Sequence, residues 1–433
     1  MEFKLINLPF GARLMYVKNK INKTTNVEIS FMGGSSEEKI PGLAHFVEHL
    51  FFSGTDKLSA QEVKKQYFDF SVANAYTNFR DITFMGRIFT NELEKYLSTV
   101  AMLITESTFS PKAIENEKKI VIQEINSSKD DNRTNFYDTD LSKIFDRDML
   151  NENVIGSEKS VKSIKQKDVL DFVNNYFVAN NVDVYICTPL SAGKVKKMVI
   201  DALLSKLKVT DNFKKPKLFY FNTTDFNYYQ SIYKDIGKMY LSIDFKVNHN
   251  VYDLDFYVKE KLIRYMINDI SYGLMKTLRQ DKSLVYYADY NLTYEEDASF
   301  VQIITESDKN NANQIIETVA EYVKDLKEKG FLPEQFEKAK RIIRYSHESR
   351  TFTPIDFLDK LYEFRKYGKI LDSEKIYTQI MSTTLEECNA LINDIFDTTN
   401  LGCTLYGDVK KKDIMTEKKF FKLFKREHKT GKK

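Results

Sequence analysis

The segment Gly42-Leu-Ala-His45-Phe-Val-Glu48-His49-Leu-Phe-Phe-Ser-Gly54 constrains this chain more than any other. His45 and His49 are four residues apart, one helical turn, so both imidazoles project from one face. Such a pair can bind one metal ion, and Glu48 beside it is placed to hold or deprotonate a water on that ion. The chain has only five histidines in 433 residues, so a pair at metal spacing with an adjacent acid outweighs the bland alternative of two unrelated helix histidines.

A chain of 433 residues is too long for one ordinary core, and two domains of about 200 residues each are expected. Hydrophobic residues at 42% and charged residues at 29% fit a folded globular protein, and a formal charge of +3 argues for neither nucleic acid nor an acidic partner. Cys187, Cys388 and Cys403 are scattered and odd in number, which excludes a disulfide scaffold or a thiolate zinc site and favours a reducing compartment. The start lacks a leader-like pattern, and no apolar run approaches the ~18 residues that span a bilayer. A cytoplasmic location is the resulting expectation.

Strands are predicted over 3–8, 13–18 and 26–32, then the H-x-x-E-H helix between Pro41 and Gly54. A helix follows over 60–69, a strand over 82–89 and a helix over 91–107 with Leu93, Tyr96, Leu97, Val100, Leu103 and Ile104 at helical spacing. Ser110-Pro111 reads as the N-cap and first residue of a further helix carrying Glu117 and Glu124. Helices 165–177 and 194–207 flank a strand at 182–188. A Lys-rich stretch at 209–225 reads as a linker between an N-terminal domain, 1–208, and a C-terminal domain, 226–433. The second half repeats the order with strand 239–246, helix 252–277, strands 284–292 and 298–305, helix 309–328 and strand 401–406. Phe109-Ser-Pro111 through Ile120 aligns with Phe331-Leu-Pro333 through Ile342 at a constant offset, which marks a duplication. Glu117 becomes Ala339 and Glu124 becomes Ser346, and the second half has no H-x-x-E-H. The duplicate keeps the fold and loses the metal chemistry.

A catalytic zinc site needs a third protein ligand. Glu117 and Glu124 share a helix face but sit roughly 10 Å apart along its axis, so both cannot ligate one ion, and spacing alone does not choose between them. The other would orient a ligand histidine.

With these motifs in order, the chain resembles the pitrilysin/insulinase/mitochondrial processing peptidase family of zinc peptidases. Gly11-Ala-Arg13, Gly34-Ser35 with Glu37-Glu38, and Gly42 through His49 follow that family's N-terminal pattern, and Asn74-Ala75-Tyr76-Thr77 is similar to its N-A-x-T segment. Glu117 through Glu124 resembles its E-x-x-x-V-x-x-E helix, and Leu278-Arg279 with Leu284 and Tyr286 its L-R-x-x-x-x-L-x-Y. The segment 148–156 keeps Gly156 but lacks the family's proline-rich run.

The resemblance implies an α+β fold of two homologous α/β-roll domains, each an antiparallel-rich sheet flanked by helices, enclosing a chamber. It implies one Zn2+ per chain held by His45, His49 and Glu124, with Glu117 behind a ligand histidine. Glu48 would be the general base, Tyr286 a donor to the tetrahedral oxyanion, and Arg279 a holder of substrate carbonyl or carboxylate. Asn74 and Ala75 would bind the peptide as an added β-strand. The implied activity is zinc endopeptidase, as a homodimer or monomer. One alternative is the catalytic subunit of a heterodimer with a zinc-less paralogue, processing a dedicated peptide or leader. Another is a non-catalytic core or scaffold subunit. His249 and His347 read as solvated or structural. The basic tail, 416–433, reads as a helix packed on its own domain in preference to a membrane-surface contact.

Overall fold

The structure, a computed structural model, describes residues 2–19, 23–144, 153–211, 213, 226–249, 253–294, 299–349 and 371–424. Among these, one compact unit holds the residues up to 130 and from 153 to 213, and a second holds 131–144 and everything from 226 onward.

The first unit is built on β1 (Glu2–Asn7), β2 (Arg13–Lys18), β3 (Thr24–Met32), β4 (Val72–Thr77), β5 (Asp81–Phe89) and β6 (Val182–Thr188), ordered β1-β2-β6-β3-β5-β4 in one sheet. Only the β2–β6 pair is parallel, and a forked Arg13–Asp183 contact ties its two strands together. The alternation of β3 turns Val27, Ile29 and Phe31 into a core shared with helices α1 (Leu43–Leu50), α2 (Ala60–Phe68), α3 (Leu93–Glu106) and α4 (Pro111–Ser128). The next helix, α5 (Asn132–Ile144), packs in the second unit. Helices α6 (Gln166–Tyr176) and α7 (Ala192–Ala202) complete the helical side of the first unit.

The second unit has β7 (Asn227–Tyr233), β8 (Met239–Val247), β9 (Tyr287–Tyr294), β10 (Ser299–Ser307) and β11 (Leu401–Gly407), ordered β7-β11-β8-β10-β9. Strand for strand this is β2-β6-β3-β5-β4 again, with the single parallel pair, β7–β11, in the same place. Its helical side carries α8 (Leu254–Ile267), α9 (Ala312–Lys329), α10 (Pro333–Glu348) and α11 (Glu417–Phe424). The duplication read from the sequence is therefore a duplication of topology. Helices α4 and α10 both start on proline, and where α4 buries Ile114, Glu117 and Val121, α10 buries Phe336, Ala339 and Ile343.

Several boundaries differ from the sequence expectation, each for a local reason. The helix predicted over 252–277 stops at Ile267. The Asn268 side chain leaves the helix to bond Tyr290 on β9, and the buried Asp269 carboxylate accepts from Ser271 N, Tyr272 N and Lys338 Nζ. A separate helical turn, Lys276–Asp281, follows. Strand β9 starts at Tyr287 instead of 284, after Ser283 takes a left-handed φ of 53°. Strands β4 and β7, both at sheet edges, are absent from the sequence expectation, and β4 buries only Ala75 while β7 buries no side chain fully. The stretch 214–225 of the predicted linker and the end of the basic tail, 425–433, lie outside the described residues. The described part of the tail is α11, whose Phe420 is buried against Tyr229 while Phe424 meets Phe245.

Helix α5 was hidden in the sequence by a polar residue in its buried stripe. It lays Phe136 and Asp140 on the sheet face opposite the helices, where Phe136 stacks on Tyr240. Asp140 there shares an interior with Asp244 of β8. Tyr228 Oη donates to both carboxylates, at 3.1 and 2.6 Å, Gln302 Nε2 donates to Asp140 at 2.7 Å, and Ser242 Oγ donates to Asp244. Burial raises the proton affinity of both groups, and the Asp140 charge raises that of Asp244 further, so the pair holds a proton that an exposed pair would release.

In the unfolded chain both carboxyls ionise near ~3.9. The folded state therefore binds more protons above that pH, and the pair's contribution to stability falls as pH rises toward the raised folded values. Asp244→Asn, which mimics the protonated group, is expected to melt above the wild type at pH 8 by about 2–4 °C for each kcal/mol recovered. The difference should close toward pH 4, which thermal denaturation across pH would show.

Candidate metal centre

Helix α1 is short and strictly placed. Gly42, at its N-cap, has φ 85°, and a Cβ there would stand 2.6 Å from Ile155 O. The Glu38 carboxylate accepts from Gly42 N and Ala44 N at 2.8 Å each, pairing two of the helix's orphan donors. Sequence reasoning quoted Glu38 as part of a pattern without giving it this role. An acid four residues before the N-cap glycine is the available signal. The close fit against Ile155 and Gly156 gives a physical reason for Gly156 as well.

His45 and His49 lie one turn apart with ring centroids 4.5 Å apart. Helix α4 packs along α1, capped by Ser110 Oγ on Ala113 N, and brings in both glutamates. Glu117 lies in the buried stripe of α4, and its Oε1 meets His49 Nδ1 at 3.0 Å. Glu124, two turns on, reaches the other side of the pair: its carboxylate is 3.4 Å from His49 Nε2 and 3.7 Å from His45 Nε2. The alternatives that spacing left open are thus sorted by position, with Glu117 behind His49 and Glu124 in front of both histidines.

These three side chains fit a zinc ion. Ligand atoms about 2.0–2.2 Å from one tetrahedral ion stand about 3.4 Å apart, close to the observed N···O separations. The ligand atoms of His45, His49 and Glu124 all fall within 4.8 Å of one another, the one such group among the described residues. Glu117 on Nδ1 leaves Nε2 of His49 as the free nitrogen, the usual arrangement of a carboxylate behind a ligand histidine. His45 has no such support, and its buried Nδ1 is without a hydrogen-bond partner.

The electrostatics divide the two histidines. Burial, helped by its neighbour His49, pushes His45 down to about 3, so it is neutral and able to ligate near neutral pH. Burial also lowers His49, but the Glu117 bond and the charges of Glu48, Glu117 and Glu124 outweigh it and raise the imidazole. Glu48 is buried beside them, which raises its proton affinity, and Thr77 Oγ1 donates to its Oε2 at 2.8 Å. Thr77, which the sequence shows only as part of a segment, is a second contact without a signal of its own.

Asn74 and Ala75 lie on β4, the open edge of the first sheet, whose last residue is Thr77. Arg279 and Tyr286 lie in the second unit, Arg279 exposed on the turn Lys276–Asp281 and Tyr286, 67% exposed, just before β9. His249 stacks on Phe256 and bonds Asp253, and His347 stacks on Tyr377, so both have structural surroundings.

Two family descriptions match the chain: "Insulinase (Peptidase family M16)" over residues 13–158 and "Peptidase M16 inactive domain" over 163–343. The chain belongs to peptidase family M16. His45, Glu48, His49, Glu117 and Glu124 all fall in the first match, and the second begins within the first unit and takes in the second only as far as residue 343. An uncharacterized zinc protease of Bacillus subtilis, YmxG, is 23% identical over 89% of this chain and 94% of its own length. A probable mitochondrial-processing peptidase subunit beta of Arabidopsis thaliana is 24% identical over 48% of this chain and 38% of that protein. The fold is shared with a protease from Helicobacter pylori, at TM-score 0.81 and 19% identity over 94% of this chain and 99% of that one. No helix among the described residues is long and apolar enough to cross a membrane.

Glu117→Gln is expected to weaken zinc binding about 10–100-fold while the protein stays folded, because the carboxylate behind His49 is lost. Competition with a chromophoric chelator, with circular dichroism alongside, measures both.

Proposed function

We propose that this chain is a zinc-dependent metalloendopeptidase, with one Zn2+ per chain, acting on short or unfolded peptides in a chamber enclosed by its two domains. The observation that carries this reading is the gathering of His45, His49 and Glu124 around one point, with Glu48 on the same helix. Zinc, when bound, supplies a Lewis acid that makes water easier to deprotonate and polarises a peptide carbonyl. His45, His49 and Glu124 hold it, and Glu117 orients His49. Glu48 takes the proton of the attacking water and delivers it to the leaving amine. Tyr286 donates a hydrogen bond to the tetrahedral oxyanion, and Arg279 holds a substrate carbonyl or carboxylate. The open edge of β4 at Asn74 and Ala75 takes the peptide as an added strand, through main-chain bonds that do not read side chains.

With the metal cluster, Arg279 and Tyr286 in one chain, we read the protein as self-sufficient, as a homodimer or monomer. A second reading, the catalytic subunit of a heterodimer, is favoured by relatives named as beta subunits of mitochondrial-processing peptidase. A scaffold role fits less well, because every metal and base position is intact.

Zinc-loaded wild type and Glu48→Gln, incubated with a mixed pool of unstructured peptides and read by mass spectrometry, test the reading. Cleavage is expected from the wild type and about 10²–10⁴-fold less from the variant, with zinc content unchanged. Equal cleavage by both would refute it.

A further inference from the structure

We propose that Thr77 is a positioning residue that fixes the Glu48 carboxylate and ties its orientation to the strand edge along which a peptide would lie. The kinetic part rests on the peptidase reading above.

The Thr77–Glu48 hydrogen bond joins two elements that one loop already holds together. Thr77 is the last residue of β4, paired with Ile82 across the hairpin. The turn that follows is gripped by backbone donors: Gly33 N to Arg80 O at 3.0 Å, Ser35 N to Asn78 O at 3.2 Å and Ser36 N to Phe79 O at 2.8 Å. A Cβ on Gly34 would stand 2.2 Å from Asn78 O, so the grip closes only over a glycine. Two residues past Ser36, the side chain of Glu38 caps α1. The loop from Gly33 to Glu38 thus sets the end of β4 and the start of α1 at once, and Thr77 spans the gap between them to Glu48.

The Thr77 bond engages Oε2 and does not occupy Oε1. A carboxylate held by one oxygen keeps its orientation, whereas a free one samples rotations about its last bond. Among the described residues β4 has no strand on its outer side, so a peptide added there would bear on the same strand that steers the base.

A threonine near a strand end is often there for β-propensity alone, and valine would serve that role equally. Thr77→Val keeps the shape and removes the donor, and Thr77→Ser restores the donor. Each protein is loaded with zinc and its metal content measured. Its kcat and KM are then determined on the best peptide from the pool, and each variant is crystallised. Thr77→Val is expected to lose about 10–100-fold in kcat with KM within about threefold of wild type, and Thr77→Ser to recover most of the loss. Zinc content should be equal in all three. In the crystals Glu48 should turn away in Thr77→Val and keep its place in Thr77→Ser. A wild-type kcat in Thr77→Val, a serine variant as slow as the valine one, or an unmoved Glu48 in the valine crystal would overturn the proposal. If the wild type cleaves no peptide the peptidase reading fails, and the crystal structures alone decide whether Thr77 holds Glu48.

Discussion

The centre depends on one contact, the packing of α4 along α1. Glu117 occupies a position in the buried stripe of α4 where a carboxylate would be costly alone. His49 Nδ1 offsets that cost by pairing with it, so the joint between the helices and the chemistry of the site are the same interaction. The imidazole then works as a spacer, with Glu117 on one nitrogen and Glu124 facing the other. Two carboxylates seven residues apart on one helix thereby face opposite nitrogens of one ring.

The second domain shows the same joint without that demand. At the position of Glu117, helix α10 carries the buried Ala339, and the helix it packs on, α8, contains no histidine. An alanine in a helix seam costs nothing to bury and holds nothing in place. The repeated strand order shows that the fold does not need the metal residues. Only one copy carries them, and there the buried Glu117 is held by His49.

Much of this was legible in the sequence because it is written at short range. The helical spacing of His45 and His49, the proline starts of α4 and α10, and the apolar stripe of α3 are local patterns, and the structure reproduces them. The α+β fold and the family follow from motifs of the same kind. What stayed hidden depends on partners distant in the chain. Asp140 interrupts the apolar stripe of α5, a stretch for which the sequence suggested no element, and its partners Tyr228, Asp244 and Gln302 are all distant in the chain. The end of α8 was invisible because Asn268 leaves the helix for β9. Thr77 carries no motif of its own, and its use appears only when β4 lies beside α1.

Strand order also bears on how the chain is made. In each sheet the strand that joins the parallel pair to the antiparallel ones, β6 or β11, is the last of that sheet to be synthesised, yet it sits between strands made far earlier. A ribosome therefore releases the whole metal centre before β6 exists to complete the sheet beneath it. Helix α5 waits longer still, since Gln302, which bonds Asp140, lies 162 residues downstream. Until then Asp140 lacks one of the partners that it has in the folded domain. Folding of each domain is thus timed by its final strand, a non-local closure of the kind that slows folding and leaves apolar faces open in the meantime.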